Sequence, residues 1–504
     1  NFKIILFMML KNNSLLLVII LSILVGCSSS SSVNSSSTDE DIVTIIPDSI
    51  KENSSTPAIG YSIDNDTFNT SNVNLKKIRA EGKSVIKFID ADYKYKLSGI
   101  LDNNRLKLIQ ERNLYGDFIK PISDINGDGV HDIVVTTPGW GLIDIFSGSN
   151  YKYIDDIAAP KYKEQDYGSL FGAGIESISD INNDGVSDLV IGHPNAEPRN
   201  SSSAANSGQV FVYSGADRSH IKTIDSPHAN LYGNFGYEIS KIDDLNNDQN
   251  PELIVGAPKS KRAYIFDGFT LKHIRTLESP RIGHKDSSLF AARFGLLSDI
   301  TGDSVSEIAI SASDASAGDL PGKVFIYNGV NGELIKTISS PYNNNGKLFG
   351  FGLNLEVVGD IDQDGYLDFI IMGNSKIYLY SGKKLKLVKT PSHTSALSSV
   401  YGGGEIEGTS DLNSDGFPDI IVAFTGYDDI RGAVAITSGK SFLPKEEDTD
   451  SGIDNHFQIF KSPKPKPLGR FGIQIEKIGD LNDDNIPDIA IIADREKSVY
   501  IYLS

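Results

Sequence analysis

Short runs of alternating apolar and polar residues fill most of this chain. QVFVYSG (209–215), RAYIFDG (262–268), KVFIYNG (323–329) and KIYLYSG (376–382) repeat with period two and are rich in β-branched and aromatic residues. That pattern predicts strands, not helices. The Ser-Gly, Asp-Gly and Asn-Gly pairs that end these runs are tight hairpin turns. Each run has three companions. One follows an aromatic–glycine pair: Tyr115-Gly116, Phe171-Gly172, Phe235-Gly236, Phe351-Gly352, Tyr401-Gly402 and Phe471-Gly472, with Phe290-Ala291 in the fourth copy. A second, such as LVIGHP or LIVGAP, follows a cluster of carboxylates and amides, and a third, such as HIKTIDSP, closes the unit. The clusters begin at Asp124, Asp180, Asp244, Asp299, Asp360, Asp411 and Asp480. Self-similarity at this period marks one supersecondary unit used repeatedly. Four antiparallel strands taken seven times predict an all-β chain folded as a seven-bladed β-propeller. A solenoid would leave open ends that need caps.

The expected blades are 113–168, 169–232, 233–288, 289–347, 348–398, 399–467 and 468–504, within a propeller of residues 73–504. The seventh repeat has only three strands. NRLKLIQ (104–110) lines up with SHIKTID (219–225), so residues 104–112 are expected to complete the last blade and cover its edge. Two further strand-like runs, VIKFID and YKYKLSG, suggest an extra hairpin on that blade.

The N-terminal region has a different composition. Lys11 precedes an apolar run from Leu15 to Val25, too short for a stable membrane span. It ends in Leu24-Val25-Gly26-Cys27, which resembles the lipobox of bacterial lipoproteins. The resemblance implies a signal peptide over 1–26, lipidation of Cys27, and anchoring in the bacterial cell envelope. Ser28 after the cysteine favours the outer membrane. Residues 27–72 are serine-rich and polar and read as a flexible tether.

The acidic clusters carry the candidate chemistry. In the first, Asp124, Asn126, Asp128 and Asp132 stand at positions one, three, five and nine, and the Val130 carbonyl stands at seven. An all-oxygen shell on a flexible loop suits Ca²⁺ better than Mg²⁺. The equivalent sets are Asp180, Asn182, Asp184, Val186 and Asp188; Asp360, Asp362, Asp364, Tyr366 and Asp368; Asp411, Asn413, Asp415, Phe417 and Asp419; and Asp480, Asn482, Asp484, Ile486 and Asp488. The third loop offers Asp244, Asn246, Asp248 and Glu252. The fourth offers Asp299, Thr301, Asp303 and Glu307, a set that suits turn hydrogen bonds as well as it suits a metal. Five to seven calcium ions are therefore expected. An EF-hand shares the opening spacing but needs a carboxylate at position twelve. All seven loops are apolar there, from Val135 to Ile491.

Formal charge is −19, with much of the acid in these loops, and nucleic acid is not an expected partner. The combination of aromatic-Gly, DxNxDGxxD and Gly256-Ala257-Pro258 resembles the FG-GAP repeats of integrin alpha-subunit propellers and their bacterial relatives, over residues 104–504. In integrin alpha propellers the face opposite the calcium loops meets partners. The resemblance thus implies a binding face here, formed by loops such as 193–208, 311–322 and 424–432. Trp140, the only tryptophan, lies between Gly139 and Gly141 in the corresponding loop of the first repeat and is a candidate for stacking on a ligand or packing over a blade.

A protein or glycan is the expected ligand, and adhesion or protein–protein contact the expected role. An envelope enzyme acting on polysaccharide or lipid is the alternative, since propellers host many activities. The eight histidines are scattered, and neither a Gly-x-Ser-x-Gly elbow nor a His-Glu-x-x-His motif occurs. A structural scaffold within an envelope assembly is the third reading.

Overall fold

A computed structural model describes the backbone of 74–80, 83–89 and 96–102. It further describes 118–160, 170–197, 206–228, 232–280, 288–314, 322–341, 350–373, 376–389, 404–426, 430–443 and 457–504. All lie in the second of two compact units, Ile63–Ser504. The expected signal peptide, Cys27 and the tether fall outside the described residues, as do Tyr115-Gly116, Tyr401-Gly402 and residues 104–112.

Seven four-stranded antiparallel sheets follow one another along the chain, the architecture of a seven-bladed β-propeller. Sheet 1 shows the pattern with strands Phe118–Ile122, Asp132–Thr137, Leu142–Phe146 and Tyr153–Ala158. The first strands of sheets 2 to 7 are Ile175–Ile178, Ile239–Lys241, Ser288–Leu296, Asn354–Gly359, Ile406–Gly408 and Phe471–Lys477. These first strands approach one another around the ring and surround its axis.

The hydrophobic core is divided into seven layers, each shared by two neighbouring sheets. Phe171 joins Val134 and Ile145 of sheet 1 to Leu189 and Phe211 of sheet 2. Ile119 and Val135 of sheet 1 pack with Ala490, Ile492 and Val499 of sheet 7, which closes the ring. The aromatic of the aromatic–glycine pair is the wedge: Phe171, Phe235, Phe290, Phe351 and Phe471 are all fully buried. The residue after it turns left-handed, with φ of 86° at Gly172 and 90° at Gly236. Ala291 adopts φ 66°, so the fourth repeat keeps the bend without the glycine.

Two expectations about the N-terminal segment need correction. The fourth strand of sheet 7 is Lys96–Asp102, paired antiparallel with Ser498–Leu503, and not residues 104–112. VIKFID also does not join that blade. It lies in Lys83–Ile89, which pairs with Asn74–Ala80 as a separate two-stranded sheet. All of these runs are short and strand-like in composition, so composition alone cannot choose among them. Lys96–Asp102 pairs with Ser498–Leu503 from Lys96 opposite Leu503 to Asp102 opposite Ser498, with one bulge between Leu97 and Gly99.

Candidate metal centres

Each acidic cluster forms the turn between the first and second strands of its sheet, so all seven lie at one end of the propeller. One hydrogen-bond scheme builds every turn. The position-one carboxylate accepts the backbone N–H of position six, at 2.6–2.8 Å, from Gly129 to Asp124 through to Asn485 to Asp480. The position-nine carboxylate accepts the N–H of position two at 2.7–3.0 Å, as in Ile125 to Asp132. Glu252 and Glu307 do the same despite their extra methylene. Position six has positive φ in all seven loops, including Gln249 (72°), Ser304 (72°) and Asn485 (67°). The turn therefore forces a left-handed residue at a cost of about 1–2 kcal/mol where no glycine is present.

Carboxylates gather within this frame. Oxygens of Asp124, Asp128 and Asp132, of Asp180, Asp184 and Asp188, and of Asp360, Asp362 and Asp368 lie within 4.8 Å of one another in each set, close enough to hold a metal ion. Asn126 Oδ1, Asn182 Oδ1, Asn246 Oδ1, Asn413 Oδ1 and Asn482 Oδ1 each accept the N–H of the position-five Asp.

The two ends of a loop differ electrostatically. Burial pushes the position-nine carboxyls up: Asp132, Asp188 and Asp488 rise, Asp368 reaches about 6 and Asp419 about 8. Glu252 reaches about 7 for the same reason. Hydrogen bonds hold position five down; Ser149 leads at Asp128 and Ser214 at Asp184. Several carboxylate oxygens also lack any donor although buried: Asp362 Oδ1, Asp364 Oδ1, Asp419 Oδ1 and Glu252 Oε2. A buried carboxylate oxygen without a donor is costly and calls for positive charge. The donor set is oxygen only, and these residues fit a hard divalent cation.

Sequence reading missed one recurrent partner. In six of the seven loops the residue at the end of the third strand, or just after it, reaches back to position five. Ser147 donates to Asp128 Oδ2 (2.9 Å), Ser214 to Asp184 Oδ2 (2.6 Å), Ser438 to Asp415 Oδ2 (2.6 Å) and Ser504 to Asp484 Oδ2 (2.8 Å). Asn328 serves in the fourth loop, donating to Asp303 Oδ2 (2.5 Å) and Thr301 Oγ1 (3.0 Å). In the fifth, Lys384 Nζ lies 3.0 Å from both Asp362 Oδ2 and Asp364 Oδ2. The signal was present as the Ser, Asn or Asp before each turn glycine, where it reads as turn chemistry alone. The glycine itself is required: a Cβ at Gly148 or Gly382 would sit 1.9 Å from the position-eight carbonyl of His131 or Leu367.

At the opposite end lie the turns between second and third strands. Trp140 ends a short 3₁₀ turn, Pro138–Trp140, and is half-buried. Parts of the long loops, 198–205, 315–321 and 427–429, are outside the described residues. His193 is buried and packs edge-on against Phe171 at 5.7 Å.

Comparison with known proteins agrees with this architecture. Residues 360–422, from the fifth acidic loop into the second strand of sheet 6, match the FG-GAP-like repeat family. Integrin alpha-8 of Gallus gallus is 25% identical over 293 residues, 51% of this chain and 26% of its own length. Integrin alpha-4 of Xenopus laevis is 31% identical over 177 residues, 32% of this chain and 17% of its own. Phosphatidylinositol-glycan-specific phospholipase D of Dictyostelium discoideum is 29% identical over 190 residues, 30% of this chain and 19% of its own. The matched region thus spans about a quarter or less of these relatives' length. The molecule is a seven-bladed β-propeller of four-stranded sheets. It carries an FG-GAP-like repeat and resembles integrin alpha chains over up to about half its length.

Proposed function

We propose that this chain is a calcium-stabilised, non-enzymatic binding module of the bacterial cell envelope, lipid-anchored through Cys27 and tethered by residues 27–72. Calcium would be held by the acidic loops, with Asp124, Asp128 and Asp132 and their counterparts as ligands. The observation that carries this reading is the set of three carboxylate triads on one rim, beside buried carboxylate oxygens that have no donor. With the acidic turns confined to that rim, the opposite loops, including Trp140, are left to meet a protein or glycan. The similarity to integrin alpha chains supports a binding role.

The test is capture of ligands from glycan arrays and envelope extracts by the full chain, with and without calcium. Trp140→Ala should weaken capture while the melting temperature stays unchanged. Capture that ignores both calcium and Trp140 would sink the reading. The similarity to a phospholipase D favours one second reading, turnover of a phospholipid. Release of a headgroup by the purified chain would establish it in place of the binding module.

A further inference from the structure

The strands around the axis carry charged side chains that no acidic loop uses. Lys120 Nζ donates to Glu476 Oε1 at 2.7 Å, and Lys477 Nζ lies 2.9 Å from Glu407. Arg293 Nη1 donates to Glu238 Oε2 at 3.2 Å, and Lys241 Nζ lies 3.4 Å from Glu176. Each pair links two neighbouring sheets. Glu356 of sheet 5 and Glu405, just before the first strand of sheet 6, have no ion-pair partner among the described residues. Among the described residues, six glutamates thus face four basic groups, and the excess lies on sheets 5 and 6. Burial pushes the carboxyls of Glu356 and Glu405 up; Glu407 adds to it at Glu356, while Lys477 near Glu356 and Arg293 near Glu405 oppose it in part.

A second observation is independent of charge. Gln474 stands two residues before Glu476 on the same strand, so the two share a face. It is 8% exposed, and its Oε1 accepts no hydrogen bond. An orphaned acceptor beside carboxylates that form no ion pair of their own calls for a positively charged N–H donor. A bare metal ion fits poorly. Among the described residues, the carboxylate triads within 4.8 Å lie in the acidic loops, and none lies at the axis. A ligand with several separated ammonium groups can reach acceptors that one ion cannot. Lys120, Lys241 and Lys477 remain partly exposed, so solvent reaches the axis.

We propose that the axis of the propeller binds a linear organic polycation of the polyamine class, its ammonium groups paired with Glu356 and Glu405 and one N–H donated to Gln474. The site is separate from the calcium loops and does not depend on their occupancy. Spermidine titrated calorimetrically into the full chain at saturating calcium should show one site per chain. The Glu356→Gln/Glu405→Gln pair should weaken binding at least tenfold. These isosteric changes remove repulsion, so melting temperature should hold or rise, which separates lost binding from lost folding. Gln474→Met should weaken binding severalfold. Binding that survives the double substitution, or that sodium chloride at matched ionic strength abolishes equally in both proteins, overturns the proposal.

Discussion

The second and fourth acidic loops share a backbone and differ in how they balance their charge. In both, position one accepts the N–H of position six at 2.7 Å, and position nine accepts that of position two. The second loop then leaves Asp180, Asp184 and Asp188 facing one another, with the Ser214 hydroxyl and the Asn182 amide both donating to Asp184. The fourth places the Asn328 amide between Thr301 and Asp303. Among the described residues the fourth loop forms no carboxylate triad like that of the second. The fifth loop is a third solution, with the Lys384 ammonium across Asp362 and Asp364. The turn is therefore built by backbone N–H groups, and the side chains decide whether it has capacity left for a metal.

This contrast can be broken most strongly at position nine. Asp188→Ala and Glu307→Ala each leave a half-buried loop N–H without its acceptor, at up to about 1–3 kcal/mol per orphaned group. Both should lower stability in urea unfolding by similar amounts. If Glu307→Ala is neutral, the shared frame is not what holds the fourth turn. Calcium should separate the two loops. EGTA should lower the melting temperature and millimolar calcium restore it, since one site at a hundred times its Kd contributes about 2.7 kcal/mol. Asp184→Asn should remove part of that response and Asp303→Asn none; equal losses would mean that the fourth loop binds as well.

A smaller effect concerns pH at saturating calcium. Glu356 and Glu405 have folded pKa values above the usual 4.5, so between the two values the native state holds more protons than the unfolded chain. Their contribution to stability is full below pH 4.5 and falls as pH rises through the folded values. Glu356→Gln should flatten that decline in melting curves taken from about pH 4.5 to 8; an unchanged slope would place the titration elsewhere. The smallest effect is expected at exposed Lys384. Lys384→Met should tighten calcium binding at the fifth loop, read as a shift in the calcium midpoint of wild type against variant.

The blades and turns were legible because each rests on a local signal. Phe171-Gly172 marks a wedge and a bend, and Asp180 to Asp188 marks a turn whose donors are its own backbone. The fourth repeat was legible even without glycine, since Phe290 is still buried and Ala291 still left-handed. Three features were not. Asn328 and Ser214 act across a hairpin, and before a glycine they look like turn residues only. Lys96–Asp102 and 104–110 both read as short strand-like runs, and the choice between them depends on a partner strand at the far end of the chain. Lys120 and Glu476 meet only when the ring closes, and nothing near either residue in the chain announces the other.

The shared packing layers have a consequence for how the molecule can come apart. No blade owns a complete interior: Phe171 sits between sheets 1 and 2, Phe471 between sheets 6 and 7. Excising any one repeat would strip two neighbours of a wall at once and expose greasy surface on both. Melting should accordingly be all-or-none across the ring, and shortened versions missing a blade should aggregate instead of settling into a smaller circle.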